Sequence, residues 1–393
     1  MNTNNLKIIL IIIILDFILS QLFVLDFLNK EKELAYKNIL ENRVPNNNYK
    51  YTFAKNKTFN SSYKDFIYEI NTNNLGFRDK ANRYLNKNKE YTIIIGDSFV
   101  EGVGLNYDET IVGLLNNKLN KATYEKFEFL NAGVSSYSSY IYLRKIRQIL
   151  KNNDWLKVKS VVLLHDKSDL RDDLAYLEMN EYEKFNFKKI KYSNRRKYFF
   201  YEDLKNLNFW RFYRKQTMIG LLTDNIGNRL ENFLRDTRDR YKLAKKINQS
   251  FFKVEKYKIR AIRSTTNMSN IKNFYYDEVR WAEEGTKSIN FTIKNFLELK
   301  NFLNSKNINL YILLYPYSYE ILDDVPKSRY LDSIIPRLNV SKINYINTYP
   351  KFFDGDLYKN IDNFYIYNDI HYNKAGNSII ADTIFNEIYQ KLD

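Results

Sequence analysis

Three residue types that together can make a nucleophile stand near the two ends of this 393-residue chain. Ser98 follows Gly96-Asp97 at the close of an apolar run, Tyr91–Ile95, and the chain continues as a helix. Far downstream, Asn368-Asp369-Ile370-His371-Tyr372-Asn373 precedes the last helical segment. A serine hydroxyl is a weak nucleophile at neutral pH. It needs a base to take its proton and a third group to orient that base. A carboxylate two residues from a histidine can orient the imidazole and leave its other nitrogen free for the serine. The chain has only two histidines, His165 and His371, so imidazole chemistry must use one of them. His165 ends a strand and reads as a structural residue. Taken singly, Asp97 or Ser98 also reads as a helix cap, and Asp369-Ile370-His371 as a loop turn.

The elements around these residues decide whether they can meet. Tyr91–Ile95 is a β-branched run broken by glycine, the signature of a buried strand entering a turn. Asp108–Lys121 has helical spacing, and Phe127–Asn131 is a second strand that ends in Asn131-Ala132-Gly133. A helix over Tyr140–Leu150 leads to a third strand, Lys159–Leu164, which ends in His165-Asp166-Lys167-Ser168-Asp169. Residues 171–285 are charged and aromatic and read as a helical insertion. The alternation then resumes with a helix at Ser288–Asn304, strands at Ile308–Tyr315 and Ile343–Asn347, and a final helix at Ala375–Leu392. This alternation predicts an α/β fold: a three-layer, doubly wound, mostly parallel, flavodoxin-like sheet. In such a sheet, residues at the carboxyl ends of strands share one edge, where ligands bind.

Gly96-Asp97-Ser98 near the start, Gly133 in an Asn-Ala-Gly turn and Asp369-Ile370-His371 near the end resemble the SGNH, or GDSL-type, hydrolase superfamily. The segment Asn73-Asn74-Leu75-Gly76-Phe77-Arg78-Asp79 is similar to its membrane-anchored bacterial branch. The resemblance covers about residues 70–170 and 290–393. It implies that Ser98 is the nucleophile, His371 the general base and acid, and Asp369 its orienter. It also implies an oxyanion hole built from the amides of Ser98 and Gly133. The family's third block carries an Asn that donates to the oxyanion, and here Ser168 stands in its place. A lost oxyanion donor typically costs about 10²–10³ in rate. Tyr317 and Tyr319, beyond Pro316, are expected to line the same end of the sheet as a substrate wall.

Residues 6–28 form a strongly apolar segment, long enough for one helix to cross a bilayer despite Asp16. The chain is thus expected to divide into an anchor (1–28), a polar membrane-proximal linker with room for one short strand (29–75) and an SGNH-like domain (76–393). Lysine counts around the segment mildly favour a cytoplasmic body. The family resemblance instead favours a catalytic domain on the periplasmic or extracellular side. The formal net charge of +16 is spread through a chain rich in Lys, Asn, Ile and Tyr, so no nucleic-acid partner is expected. The basic and aromatic residues between 184 and 215 could also meet sugar rings or lipid headgroups. With no cysteine there is neither a disulfide nor a thiolate metal site, and no metal or cofactor is expected. These features point to a serine esterase or O-acyltransferase acting on an acylated, by resemblance O-acetylated, carbohydrate. The alternative is a catalytically weak SGNH-like binding or assembly component of an envelope polysaccharide system.

Overall fold

The computed structural model describes residues 43–63, 66–122, 124–178, 255–266, 281–322 and 328–389, with isolated positions in 7–16 and 234–278. The chain divides into two compact units, Met1–Glu41 with Asn186–Val254 and Asn42–Phe185 with Glu255–Asp393. The second unit holds the sheet, and the account below concerns that unit. The apolar segment 6–28 and the basic, aromatic stretch 184–215 fall almost entirely outside the described residues. Among the described residues, no helix is long and apolar enough to cross a membrane.

The elements run in chain order as β1 (Arg43–Asn46), β2 (Lys50–Phe53), β3 (Thr58–Tyr63), β4 (Phe66–Thr72), β5 (Arg78–Asp79), β6 (Glu90–Ile95) and α1 (Ser98–Glu101). Then follow α2 (Ile111–Lys121), β7 (Phe127–Asn131), α3 (Ser139–Asn152), β8 (Lys157–His165), α4 (Ser168–Glu178), α5 (Lys256–Thr266) and α6 (Thr286–Asn304). The chain continues with β9 (Asn309–Leu314), α7 (Ser318–Leu322), α8 (Arg329–Val340) and β10 (Asn344–Asn347). It closes with α9 (Tyr349–Phe352), α10 (Leu357–Phe364) and α11 (Lys374–Ile388).

The sheet has eight strands in the order β10-β9-β8-β6-β7-β5-β4-β3. The strands from β10 to β7 are parallel, whereas β5, β4 and β3 extend the edge in antiparallel fashion. Counted among themselves, the parallel strands have the doubly wound order 2-1-3-4-5. The chain leaves β6 toward one neighbour, β7, then crosses back to the other, β8. Right-handed crossovers therefore put α2 and α3 on opposite faces. Alternate residues serve the two faces. Ile94, Val162 and Leu313 join Ile111, Leu115, Ile380 and Ile384 in one apolar cluster. Ile93, Ile95, Val161, Leu163 and Ile312, one residue out of phase, are equally buried on the other side.

One expectation needs correction. Residues 43–72, read as linker, form the β1–β2 ribbon and the strands β3 and β4. Their polarity misled because β3 is an edge strand with alternating exposure, so only every second side chain needs to be apolar. The Asn-Leu-Gly-Phe-Arg-Asp turn then joins β4 to β5. Asn73 Oδ1 accepts from the amides of Leu75 and Phe77, which folds the turn upon itself.

Candidate active site

Ser98 sits directly beyond the carboxyl end of β6. The turn there is tight: a Cβ on Gly96 would lie 2.5 Å from Val100 Cγ2 and 3.1 Å from the Leu164 carbonyl oxygen, so glycine is needed. Asp97 caps α1 by accepting from the Phe99 amide at 3.1 Å. Behind the turn, Arg78 is buried and donates to the carbonyl oxygens of Glu101 (2.7 Å), Gly102 (2.8 Å) and Leu105 (2.5 Å). The neighbouring turn after β7 is tied to the same helix. Asn131 Nδ2 donates to the Val100 carbonyl at 2.7 Å. Buried Lys145 donates to the Ala132 carbonyl at 2.9 Å, and burial pushes its pKa down to about 7 against the opposing charge of Glu101.

His371 arrives from the loop before α11. The loop is held at both ends: the Ile366 amide donates to the His371 carbonyl at 2.9 Å, and Asn373 caps α11 through the amides of Ala375 and Gly376. Between them, Tyr372 donates to the Pro316 carbonyl at 2.7 Å.

The structure brings Ser98, His371 and Asp369 together. Ser98 Oγ lies 2.8 Å from His371 Nε2, and His371 Nδ1 lies 2.6 Å from Asp369 Oδ1. The His371 amide donates to the same carboxylate oxygen at 2.9 Å. Burial alone would raise the Asp369 pKa, but the His371 ring, Tyr63 and the His371 amide hold it well below the usual carboxylate range. Asp369 is thus an anion wherever the imidazole is functional. That fixes the Nδ1–H tautomer and leaves Nε2 to accept the serine proton.

Ser98 Oγ also lies 3.1 Å from Asp97 Oδ2. Burial, then the charge of Asp166, push Asp97 well above the usual carboxylate range. Its protonated form therefore persists to higher pH than that of an exposed aspartate. The Ser98 hydroxyl is the donor in its contact with Asp97, so Asp97 Oδ2 is a second acceptor for it beside His371 Nε2.

The expected oxyanion groups are placed differently from one another. Gly133 packs against α1, where a Cβ would meet the Glu101 nitrogen at 2.4 Å, but its amide donates to Asn131 Oδ1 at 3.1 Å. The Ser98 amide is drawn toward the Asp97 carboxyl. Ser168 opens α4 with its amide on Asp166 and its hydroxyl engaged with Tyr317. The Ser168 hydroxyl is thus already engaged.

Tyr317 and Tyr319 do not form an exposed wall. They are 0% and 2% exposed. After Pro316 the chain turns towards α7, and Tyr317 in that turn stacks on Phe99 with the ring centroids 5.7 Å apart. The Tyr317 hydroxyl donates to Asp166, as does that of Tyr315. Tyr319 joins Tyr275, Tyr330 and Tyr349 around the Lys167 ammonium, each ring centre within 5.7 Å. Lys167 pairs there with Glu320. This buried polar cluster occupies the ground under the third block, and its acidic and basic members gave no signal of proximity in the sequence. His165 is fully buried beside it. Its Nδ1 lies 2.6 Å from the Tyr330 hydroxyl, and burial pushes its pKa down to about 3, so it is a neutral structural residue.

Tyr63 was missed by sequence reasoning because it lies in the stretch read as linker. From the end of β3 it donates to Asp369 Oδ2 at 2.6 Å. Among the described residues no cluster of three or more His, Asp or Glu is placed to hold a metal ion.

No protein-family model matches the sequence, and no curated protein does. Solved structures do. The psychrotrophic esterase EstA from Pseudoalteromonas sp. is similar at 11% identity and a TM-score of 0.37, over 77% of this chain and 98% of that one. A member of the lipolytic protein G-D-S-L family from Veillonella parvula DSM 2008 matches at 11% identity and a TM-score of 0.36, over 77% and 99%. Axe2, an acetyl xylan esterase from Geobacillus stearothermophilus, matches at 12% identity and a TM-score of 0.31, over 77% and 97%.

Proposed function

We propose that this protein is a serine ester hydrolase of the SGNH/GDSL type, or an O-acyltransferase built on the same acyl-enzyme. The observation that carries the reading is the relay Ser98 Oγ–His371 Nε2 at 2.8 Å and His371 Nδ1–Asp369 Oδ1 at 2.6 Å. In this reading Ser98 attacks the ester carbonyl while His371 takes the hydroxyl proton, and Asp369 stabilises the resulting imidazolium. The amides of Ser98 and Gly133 are the oxyanion donors of this reading, in competition with the Asp97 and Asn131 side chains they already face. Collapse expels the alcohol, which takes the proton from His371. Water, or a sugar hydroxyl in a transferase, then gives its proton to His371 and takes the acyl group, and His371 returns that proton to the departing Ser98 oxygen.

The substrate we assign is an O-acetylated carbohydrate, and the anchor is the apolar segment 6–28, with the catalytic unit on the periplasmic or extracellular side. The segment Asn74-Leu75-Gly76-Phe77-Arg78-Asp79 and the length of the apolar run support this setting.

A second reading has a specific observation behind it. The Gly133 amide is engaged by Asn131, and Ser168 replaces the expected Asn, which fits a catalytically weak member kept for glycan binding or assembly.

The test is p-nitrophenyl acetate turnover by the detergent-solubilised full chain, with fluorophosphonate labelling followed by mass spectrometry. Ser98→Ala should lose the label and at least about 10³-fold in turnover. A folded wild-type protein that neither turns over nor labels refutes the esterase reading and favours the second. Adding a sugar acceptor separates hydrolase from transferase by where the acetyl group ends.

A further inference from the structure

We propose that Tyr63 is a positioning residue of this site, its hydroxyl holding the Asp369 carboxylate in the orientation that aims His371 at Ser98. The inference builds on the esterase reading above and assigns a role to a strand outside the parallel core.

Both oxygens of Asp369 are in use. Oδ1 meets His371 Nδ1 at 2.6 Å and the His371 amide at 2.9 Å, and Oδ2 accepts from the Tyr63 hydroxyl at 2.6 Å. A carboxylate held on one oxygen can rotate about its Cβ–Cγ bond. One held on both cannot rotate without breaking a charge-assisted hydrogen bond. The Tyr63 ring also meets the imidazole edge-on, with centroids 5.6 Å apart and planes at 88°. Its own place is fixed by β3, whose register pairs Tyr63 with Phe66 of β4. Gly104 leaves room for the ring, since a Cβ there would lie 3.1 Å from Tyr63 Cδ1. The outermost antiparallel strand thus delivers a donor to a carboxylate 306 residues later in the chain.

Burial raises the Tyr63 hydroxyl, and its hydrogen bond to Asp369 and that carboxylate's charge raise it further, so it remains a donor through the pH range of ester hydrolysis. The titratable groups facing the imidazole are Asp369 on its own loop, Tyr63 from β3, and Ser98 with Asp97 behind it from the β6 turn. Tyr68 on β4 acts on Tyr63 through charge alone.

Tyr63→Phe keeps the ring and removes the donor. For p-nitrophenyl acetate, kcat/KM should fall about tenfold, in kcat rather than KM, because the loss is of alignment. The acidic limb of the pH profile should move to higher pH, since Asp369 relieved of one donor becomes more basic and holds the imidazolium more firmly. In an Asp369→Asn background, Tyr63→Phe should add no further loss. A kcat/KM within twofold of wild type with an unmoved limb overturns the proposal, as does a full additional loss in the Asp369→Asn background. A lower melting temperature with an unmoved limb also overturns it, because Tyr63 would then be structural only. The downfield proton resonance of His371 Nδ1–H provides a readout that needs no turnover. It should move in Tyr63→Phe, and an unmoved resonance overturns the proposal even in a protein without esterase activity. Absence of turnover in the wild type refutes the esterase reading and leaves the resonance to decide on Tyr63.

Discussion

Arg78→Met isolates what holds the nucleophile turn in place. Arg78 is 1% exposed, and its guanidinium donates to three carbonyl oxygens that follow Ser98, those of Glu101, Gly102 and Leu105. Methionine roughly fills the same space and donates nothing. Gly102 O keeps the Leu105 amide at 3.2 Å, whereas Glu101 O and Leu105 O lose the Arg78 donor. A buried acceptor left without its donor costs about 1–3 kcal/mol. Removing a guanidinium returns part of its desolvation cost, which here is the leading influence on Arg78 and lowers its pKa against Tyr68, Glu101 and Tyr107. The net loss should be about 2–4 kcal/mol, a fall in melting temperature of roughly 3–7 °C for a unit of this size. Because the freed carbonyls end the turn that carries Ser98, activity should fall by more than unfolding explains when measured well below the melting point. Arg78→Lys should recover only part, since an ammonium cannot span all three oxygens. Thermal denaturation followed by circular dichroism, with ester turnover at 20 °C below each melting point, makes the measurement. A melting temperature within about 2 °C of wild type and unchanged turnover would refute the reasoning.

Two further perturbations test the same region. Asp97 has a folded-state pKa raised above the unfolded value of 3.8. The folded state therefore keeps a proton that the unfolded chain has lost, and its contribution to stability is present below pH 3.8 and lost as pH rises through the folded value. Asp97→Asn removes that loss and retains an acceptor for the Phe99 amide, so its melting temperature relative to wild type should climb from pH 4 to pH 8; a relative decline over that range in calorimetry would contradict the sign. Gly133→Ala would place a Cβ 2.4 Å from the Glu101 nitrogen and 2.7 Å from the Val100 carbonyl carbon, both backbone atoms that cannot step aside. It should cost about 1–3 kcal/mol by overpacking and displace α1, lowering the fluorophosphonate labelling rate; unchanged melting and labelling would show that the turn yields freely.

Much of the core was legible because its signals are local. Ile93–Ile95 and Val161–Leu164 are unbroken apolar runs closed by Gly or short polar residues, as strands buried on both faces require, and Phe127–Asn131 adds aromatic residues closed by Asn-Ala-Gly. The outer strands were not legible. In Thr58-Phe59-Asn60-Ser61-Ser62-Tyr63 only alternate side chains are partly covered, and the polar remainder matches the composition of a linker. Tyr317 and Tyr319 illustrate a different limit. Their position after Pro316 was read correctly as the end of a strand, but whether a tyrosine faces solvent or an aspartate depends on what the turn before α7 and the helix itself pack against.

The sequence by itself determined the residue types of the site, the strands that carry them and their common edge, since those follow from short-range pattern and the handedness of crossovers. Only the tertiary structure decided that Ser98 and His371 stand at hydrogen-bond distance, that the Gly133 amide is held by Asn131, and that Tyr63 reaches Asp369. These contacts join residues between 2 and 306 positions apart. Their geometry is set by side-chain directions and burial in the assembled sheet, which no local pattern of residues encodes.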